Sequence, residues 1–89
     1  MEYLKLWWVY IIRCGDGTLY TGISIDVEAR LKRHIAGTGA RYTRGRGPLV
    51  LVFKKEIGSQ QDAMKREREI KKMSREGKEA IVESIKGES

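Results

Sequence analysis

From Trp7 to Ile12 apolar side chains occupy consecutive positions. In an extended strand Trp8, Tyr10 and Ile12 share one face, and Val9 and Ile11 take the other. The run is rich in aromatic and β-branched residues, which predicts a strand buried on both sides of a small sheet. Cys14-Gly15-Asp16-Gly17 interrupts it with a strong turn signal, because Asp-Gly and glycine tolerate positive φ. Thr18 to Ile23 returns as a second strand. The first half of the chain therefore opens with a hairpin.

Beyond it the period changes from two to that of a helix. Ser24 or Asp26 can cap the new element, and Glu28 in its first turn suits the helix dipole. Val27, Leu31 and Ile35 form the apolar stripe. Arg30 and His34 stand four residues apart on one face, at the edge of that stripe. Lys32 and Arg33 point toward solvent. A guanidinium held near a sheet needs an anion or a carboxylate beside it.

Residues 36–48, AGTGARYTRGRGP, lose the periodicity. One short helical turn around Gly39 to Thr43 is compatible with them, and the rest reads as loop. Leu49 to Phe53 is a third strand entered through Pro48, with Leu49, Leu51 and Phe53 on one face and Val50 and Val52 on the other. Ser59 with Asp62 marks the start of another helix. Its apolar arc is Ala63, Met64, Ile70 and Met73. Glu67 falls near the centre of that arc, whereas Glu69 and the lysines 65, 71 and 72 fall outside it. The closing SREGKEAIVESI predicts a short docking helix with Ile81, Val82 and Ile85 as its contacts, and the last four residues are expected to fray.

Composition adds a bias toward particular partners. Eighty-nine residues make one domain, with its core between residues 7 and 85. Eighteen basic against twelve acidic side chains leave a net charge of +6. That surplus favours polyanions, nucleic acid before anionic membrane. The loop of residues 37–48 concentrates the effect. Arg41, Arg44 and Arg46 are interleaved with Tyr42, which suits phosphate and unstacked bases as well as it suits a solvated loop. Arg33 on the preceding helix adds to the same surface. Cys14 is the sole cysteine, so an internal disulfide is excluded and a reducing compartment fits. Cys14 reads as structural. The start MEYLKLWW lacks the pattern of a signal peptide, and no apolar run has membrane-spanning length. A cytoplasmic protein without a membrane partner is expected.

Tyr10, Tyr20, Arg30, His34 and Glu67 are the residues with chemistry to offer. Phosphodiester hydrolysis needs a positioned or deprotonated water, a cation to offset charge on the phosphoryl oxygens, and stabilisation of the leaving oxygen. Arg30 and a divalent ion on Glu67 would meet the electrostatic demand. A phenol could act on the water if its pKa were lowered from about 10. His34 could move a proton or hold a phosphate. One carboxylate is a thin metal site, so a single Mg²⁺ or Mn²⁺ would keep waters and borrow substrate oxygens. Two other readings of Glu67 stand beside this one: a salt bridge to Arg30, or a half-exposed side chain covered by its own stem. No histidine pair or cysteine cluster offers a structural zinc site, and GTGARYTRGRG lacks the ending of a nucleotide-binding loop.

The chain resembles a GIY-YIG nuclease domain. Trp8-Val9-Tyr10 matches the first signature with Trp in place of glycine. Tyr20-Thr21-Gly22 matches the second with Thr in place of isoleucine. Asp26 to His34 resembles the helix that carries the family arginine, here Arg30. Glu67-Arg68-Glu69-Ile70-Lys71 resembles the segment with the metal-binding glutamate, here Glu67. Gly37 to Val52 is similar to the small stand-alone bacterial members of the YhbQ-like group, and to the nuclease subunit of the eukaryotic complex that cuts branched DNA. The resemblance implies an α+β fold, a small three-stranded antiparallel sheet flanked by helices. It implies metal-dependent cleavage of one DNA strand in repair or recombination, with a tyrosine equivalent to Tyr20 acting on the water and Tyr10 supporting it. Ile23 stands where some repair-type members have lysine, so an activating cation must come from elsewhere. The extra DNA-binding module that family members often carry is not matched, which makes a protein partner or weak self-association an expectation. Two further readings compete with a nuclease: a nucleic-acid-binding module without turnover that uses the loop, and a small interaction protein whose tyrosines and Glu67 are core residues.

Overall fold

The computed structural model describes residues 5–86, and side chains as far as residue 84. Strand β1 spans Trp7–Arg13, β2 Leu19–Ser24 and β3 Val50–Gly58. They form one antiparallel sheet in the order β2-β1-β3. Helix α1 covers Val27–Ile35, α2 Gln60–Lys71 and α3 Arg75–Lys86, and a 3₁₀ turn spans Arg41–Thr43. The α+β fold and the three-stranded antiparallel sheet flanked by helices are as the sequence led one to expect. No helix among the described residues is long and apolar enough to cross a membrane.

Because β1 is central, both its faces are covered, and Val9, Tyr10, Ile11 and Ile12 are all fully buried. Val9 and Ile11 pack with Phe53, Ile70 and Val82, with Met73 and Ile81 at the margin, under α2 and α3. Tyr10 and Ile12 pack with Val27, flanked by Trp8, Tyr20, Leu31, Leu49 and Leu51, under α1. Each fully buried aliphatic side chain is worth about 1.5–3 kcal/mol over exposure, so two small clusters on opposite faces hold the sheet. Arg13 closes the far end, donating to both carboxylate oxygens of Glu79 on α3 at 2.9 and 2.7 Å.

The caps follow the sequence. Asp26 accepts from the Ala29 amide at 3.0 Å, while Ser24 accepts from the Asp26 amide and sets the entry. Ser59 accepts from the Asp62 amide at 3.1 Å. Four details differ from expectation. Strand β3 runs to Gly58, so Lys54 to Glu56 are part of it. A register shift between Ile11↔Phe53 and Ile12↔Leu51 leaves Val52 as an extra residue. That bulge reverses the alternation, so Phe53 packs with Val9 and Ile11 instead of joining Leu49 and Leu51. On the helices, Ile35 is 63% exposed and His34 takes the buried position. Met64 is likewise exposed, leaving Ala63 and Ile70 as the buried side of α2. The side chain of Ile85 and residues 87–89 lie outside the described set.

Candidate functional site

Tyr10 and Gly22 are cross-strand partners in β1 and β2. The phenol lies over the place where a side chain at position 22 would stand. A Cβ there would be 2.5 Å from the Tyr10 hydroxyl and 2.7 Å from its ring carbon. Glycine is thus required for the ring to reach α1. At its tip the Tyr10 hydroxyl meets Nε2 of His34 at 2.9 Å, with both residues 1% exposed.

His34 is gripped on its other nitrogen as well. The Ala40 amide lies 3.2 Å from Nδ1. The Thr43 hydroxyl sits 2.9 Å from Nδ1 and 3.0 Å from the Ala40 carbonyl oxygen, and it donates to one of them. The amide hydrogen of Ala40 is fixed by the backbone and points at Nδ1, so Nδ1 is an acceptor and carries no proton. The proton of the neutral ring is on Nε2, and His34 donates it to the Tyr10 oxygen. Tyr10 keeps its own O–H for another acceptor. Gly39 makes room for the ring, since a Cβ there would stand 2.6 Å from Nδ1. Burial, aided by the Arg30 charge, lowers the pKa of His34 below its ordinary 6.5, which keeps the ring neutral.

Tyr20 completes an aromatic cluster. Its ring is 5.2 Å from His34, 6.4 Å from Tyr10 and 5.8 Å from Tyr42, the last in a stacked arrangement. Tyr20 is half-buried, so of the two strand tyrosines it is the one open to solvent. Burial pushes the Tyr10 phenol up to about 12, and the neighbouring Tyr20 phenol adds to the rise. The Arg30 guanidinium beside it offsets part of this, and the Glu67 carboxylate adds a smaller rise. The lowering that a base would need is not found at Tyr10: desolvation outweighs the cation.

Those interactions bring Tyr10, Tyr20, Arg30, His34 and Glu67 into one electrostatic neighbourhood, from β1, β2, α1 and α2. Arg30 is half-buried and forms no ion pair among the described residues. Glu67 is not bridged to Arg30. Its side chain, 20% exposed, pairs with Lys71 one turn on at 3.4 Å. No group of three or more ligating side chains lies together among the described residues. Glu67 would offer a metal a single carboxylate, and that suits a hard cation only when waters and substrate oxygens fill the other positions. Ile23 pairs with Val9 and packs against the core under α2 and α3.

The basic loop is more ordered around Tyr42 than its glycines suggest. The Arg46 guanidinium lies 4.4 Å from the centre of the Tyr42 ring and pairs with Asp16 at 2.6 Å. Asp16 in turn accepts from the Thr18 hydroxyl at 2.6 Å. Arg46 is therefore tied down, and Tyr42 is held between it and Tyr20. Arg33, Arg41 and Arg44 are exposed. Thr43 and Ala40, which share in the resemblance of Gly37 to Val52 to the bacterial members, are positioning residues to which the sequence alone assigned no role. A threonine nine residues after His34 in a glycine-rich loop carries no periodic signal, and only the fold shows it buried.

Sheet order and helix placement define a GIY-YIG-like α+β domain. The chain belongs to the GIY-YIG family: the model of the GIY-YIG catalytic domain matches residues 6–80. Within it the chain is similar to UPF0213 proteins. One from Halalkalibacterium halodurans is 50% identical over 80 residues, covering 90% of this chain and 84% of that protein. Another from Halobacterium salinarum is 51% identical over 73 residues, covering 82% and 95%. Among solved structures, the solution NMR structure of a UPF0213 protein from Bacillus halodurans matches with a TM-score of 0.59 at 48% identity, over 93% of this chain and 87% of that one. A solution NMR structure of a protein from E. faecalis matches with a TM-score of 0.65 at 33% identity, over 100% and 95%.

Proposed function

We propose that this chain is a nucleic-acid-binding domain that takes a phosphodiester at the pocket of Tyr10, Tyr20, Arg30 and His34, with the loop of residues 37–48 flanking it. One observation carries the reading. The Arg30 guanidinium is half-buried beside a phenol and lacks a carboxylate partner among the described residues. A partly desolvated cation without an anion is costly, and a phosphate would satisfy it. The net charge of +6 and exposed Arg33, Arg41 and Arg44 supply long-range attraction to a polyanion. DNA of branched, nicked or otherwise irregular form is the proposed partner, with a protein partner or self-association assisting so small a domain.

The place of Glu67 near the same phenol favours a second, finer reading, metal-dependent cleavage of that phosphodiester. Mg²⁺ or Mn²⁺ held by Glu67 would supply charge neutralisation and an activated water. Arg30 would offset charge on the phosphoryl oxygens, and Tyr20 would orient the attacking water. His34 would hold the buried Tyr10 oxygen by its Nε2 proton and so fix the ring beside which Tyr20 and Arg30 stand.

The test incubates purified protein with labelled branched, flapped and linear DNA at low salt, with Mg²⁺, with Mn²⁺ and with chelator. Binding in every condition, weakened by Arg30→Ala and kept by Glu67→Ala, supports the first reading. Cutting that needs metal and is lost in both variants supports the second. Uncut DNA with intact binding removes the second alone. No binding by the wild type removes both.

A further inference from the structure

A cleft outside the pocket points to a second contact for the same strand. Thr18 and Leu19 at the start of β2, Tyr42 of the loop, and Arg75 and Lys78 in the first turn of α3 enclose about 190 Å³. Two cationic side chains line it and no carboxylate does. Arg75 is already engaged, donating to the Gly17 carbonyl at 2.8 Å and lying 3.6 Å from Glu79. That holds it at the rim. Lys78 is half-buried, and its ammonium makes no ion pair or hydrogen bond among the described residues. The cleft is smaller than the roughly 300–1,000 Å³ of a typical small-molecule site, so a whole nucleotide does not fit. A phosphate group with attendant water does. Its two positive ends suit such a group, while the Thr18 hydroxyl is already given to Asp16.

Position relates the cleft to the pocket. Leu19 precedes Tyr20, and the Tyr42 ring that walls the cleft is stacked on Tyr20 at 5.8 Å. The two sites therefore stand on either side of the Tyr20–Tyr42 stack. We infer that Lys78, with Arg75, forms a second phosphate subsite that holds the nucleic-acid backbone next to the phosphodiester seated at Arg30. This rests on the binding function proposed above, and it places a strand running from α1 across the β2 edge to α3. Lys78 thereby becomes a binding residue although it lies 48 positions from Arg30 in the sequence.

The experiment measures binding of a fluorescent single-stranded oligonucleotide by anisotropy over a series of salt concentrations, with chelator present. Lost contact with one phosphate lowers the slope of log K against log salt by about 0.7 for a single strand. Lys78→Ala and Lys78→Gln should each show that drop, with affinity reduced about threefold to tenfold at low salt. Lys55→Ala, on β3 at the opposite edge of the sheet, should leave slope and affinity unchanged. Thermal unfolding of each variant confirms that it is folded. A wild type that binds, with Lys78 variants of unchanged slope, overturns the subsite and leaves the pocket standing. A wild type that fails to bind at all overturns both.

Discussion

Tyr10 rests on Gly22, its partner across β1 and β2, with the phenol hydroxyl 2.5 Å from where a Cβ would sit. The glycine of the second signature is therefore a steric condition for the tyrosine of the first. Gly22→Ala should destabilise the fold by about 1–3 kcal/mol, as overpacking does. Denaturant unfolding measures it. Combined with Tyr10→Ala, which empties the contested space, the two changes should add to less than their separate costs. Simple additivity would show that the ring does not depend on position 22.

The His34 ring should carry its proton on Nε2. Nitrogen NMR of the imidazole tests this directly: a protonated Nε2 and an unprotonated Nδ1 are expected at neutral pH. Thr43→Val should cost about 1 kcal/mol through the lost hydroxyl contacts. It should leave the tautomer in place, because the Ala40 amide remains.

Acid should weaken the fold through His34. Its pKa is lowered from 6.5 in the folded chain, so between the two values the unfolded chain binds more protons. The contribution is whole above pH 6.5 and is lost as pH falls below it. Urea unfolding of wild type and His34→Gln compares the slopes. Wild-type stability should fall more steeply below that pH than that of the variant, and parallel curves would remove His34 from the account.

Alkali should weaken the fold through Tyr10. The folded phenol titrates at about 12 against 10.0 in an unfolded chain, so the folded state keeps its proton longer. That contribution is complete below pH 10 and is lost as pH rises toward 12. The slope reaches at most about 1.4 kcal/mol per pH unit. Tyr10→Phe lacks this slope, so the two proteins should converge in stability as pH rises. Ultraviolet titration should show a late phenol step that disappears in the same variant.

Strand β1 and the capped helix starts were legible because their signals are local: an unbroken apolar run, and Asp26 and Ser59 at the ends of periodic segments. The bulge at Val52 was not, since an inserted residue in an apolar run leaves the run looking the same. His34 and Ile35 stand about 100° apart on the helical wheel, on opposite edges of the stripe of Val27 and Leu31. What buries the histidine is a phenol from β1 and a threonine from the loop, neither visible in the helix itself. Arg46 looked free for phosphate because Asp16, its partner, stands thirty residues away. Glu67 is half-buried on α2, and its ion pair is with Lys71 and not with Arg30, a choice the helical wheel does not reveal.

The central claim is that the half-buried Arg30 exists to meet a phosphate. Anisotropy titration of a labelled branched DNA with wild type and Arg30→Gln, in chelator at low salt, tests it most directly. The expected result is binding by the wild type and at least a tenfold loss, about 1.4 kcal/mol, in the variant. Equal affinity of the two proteins, with both folded, would contradict it.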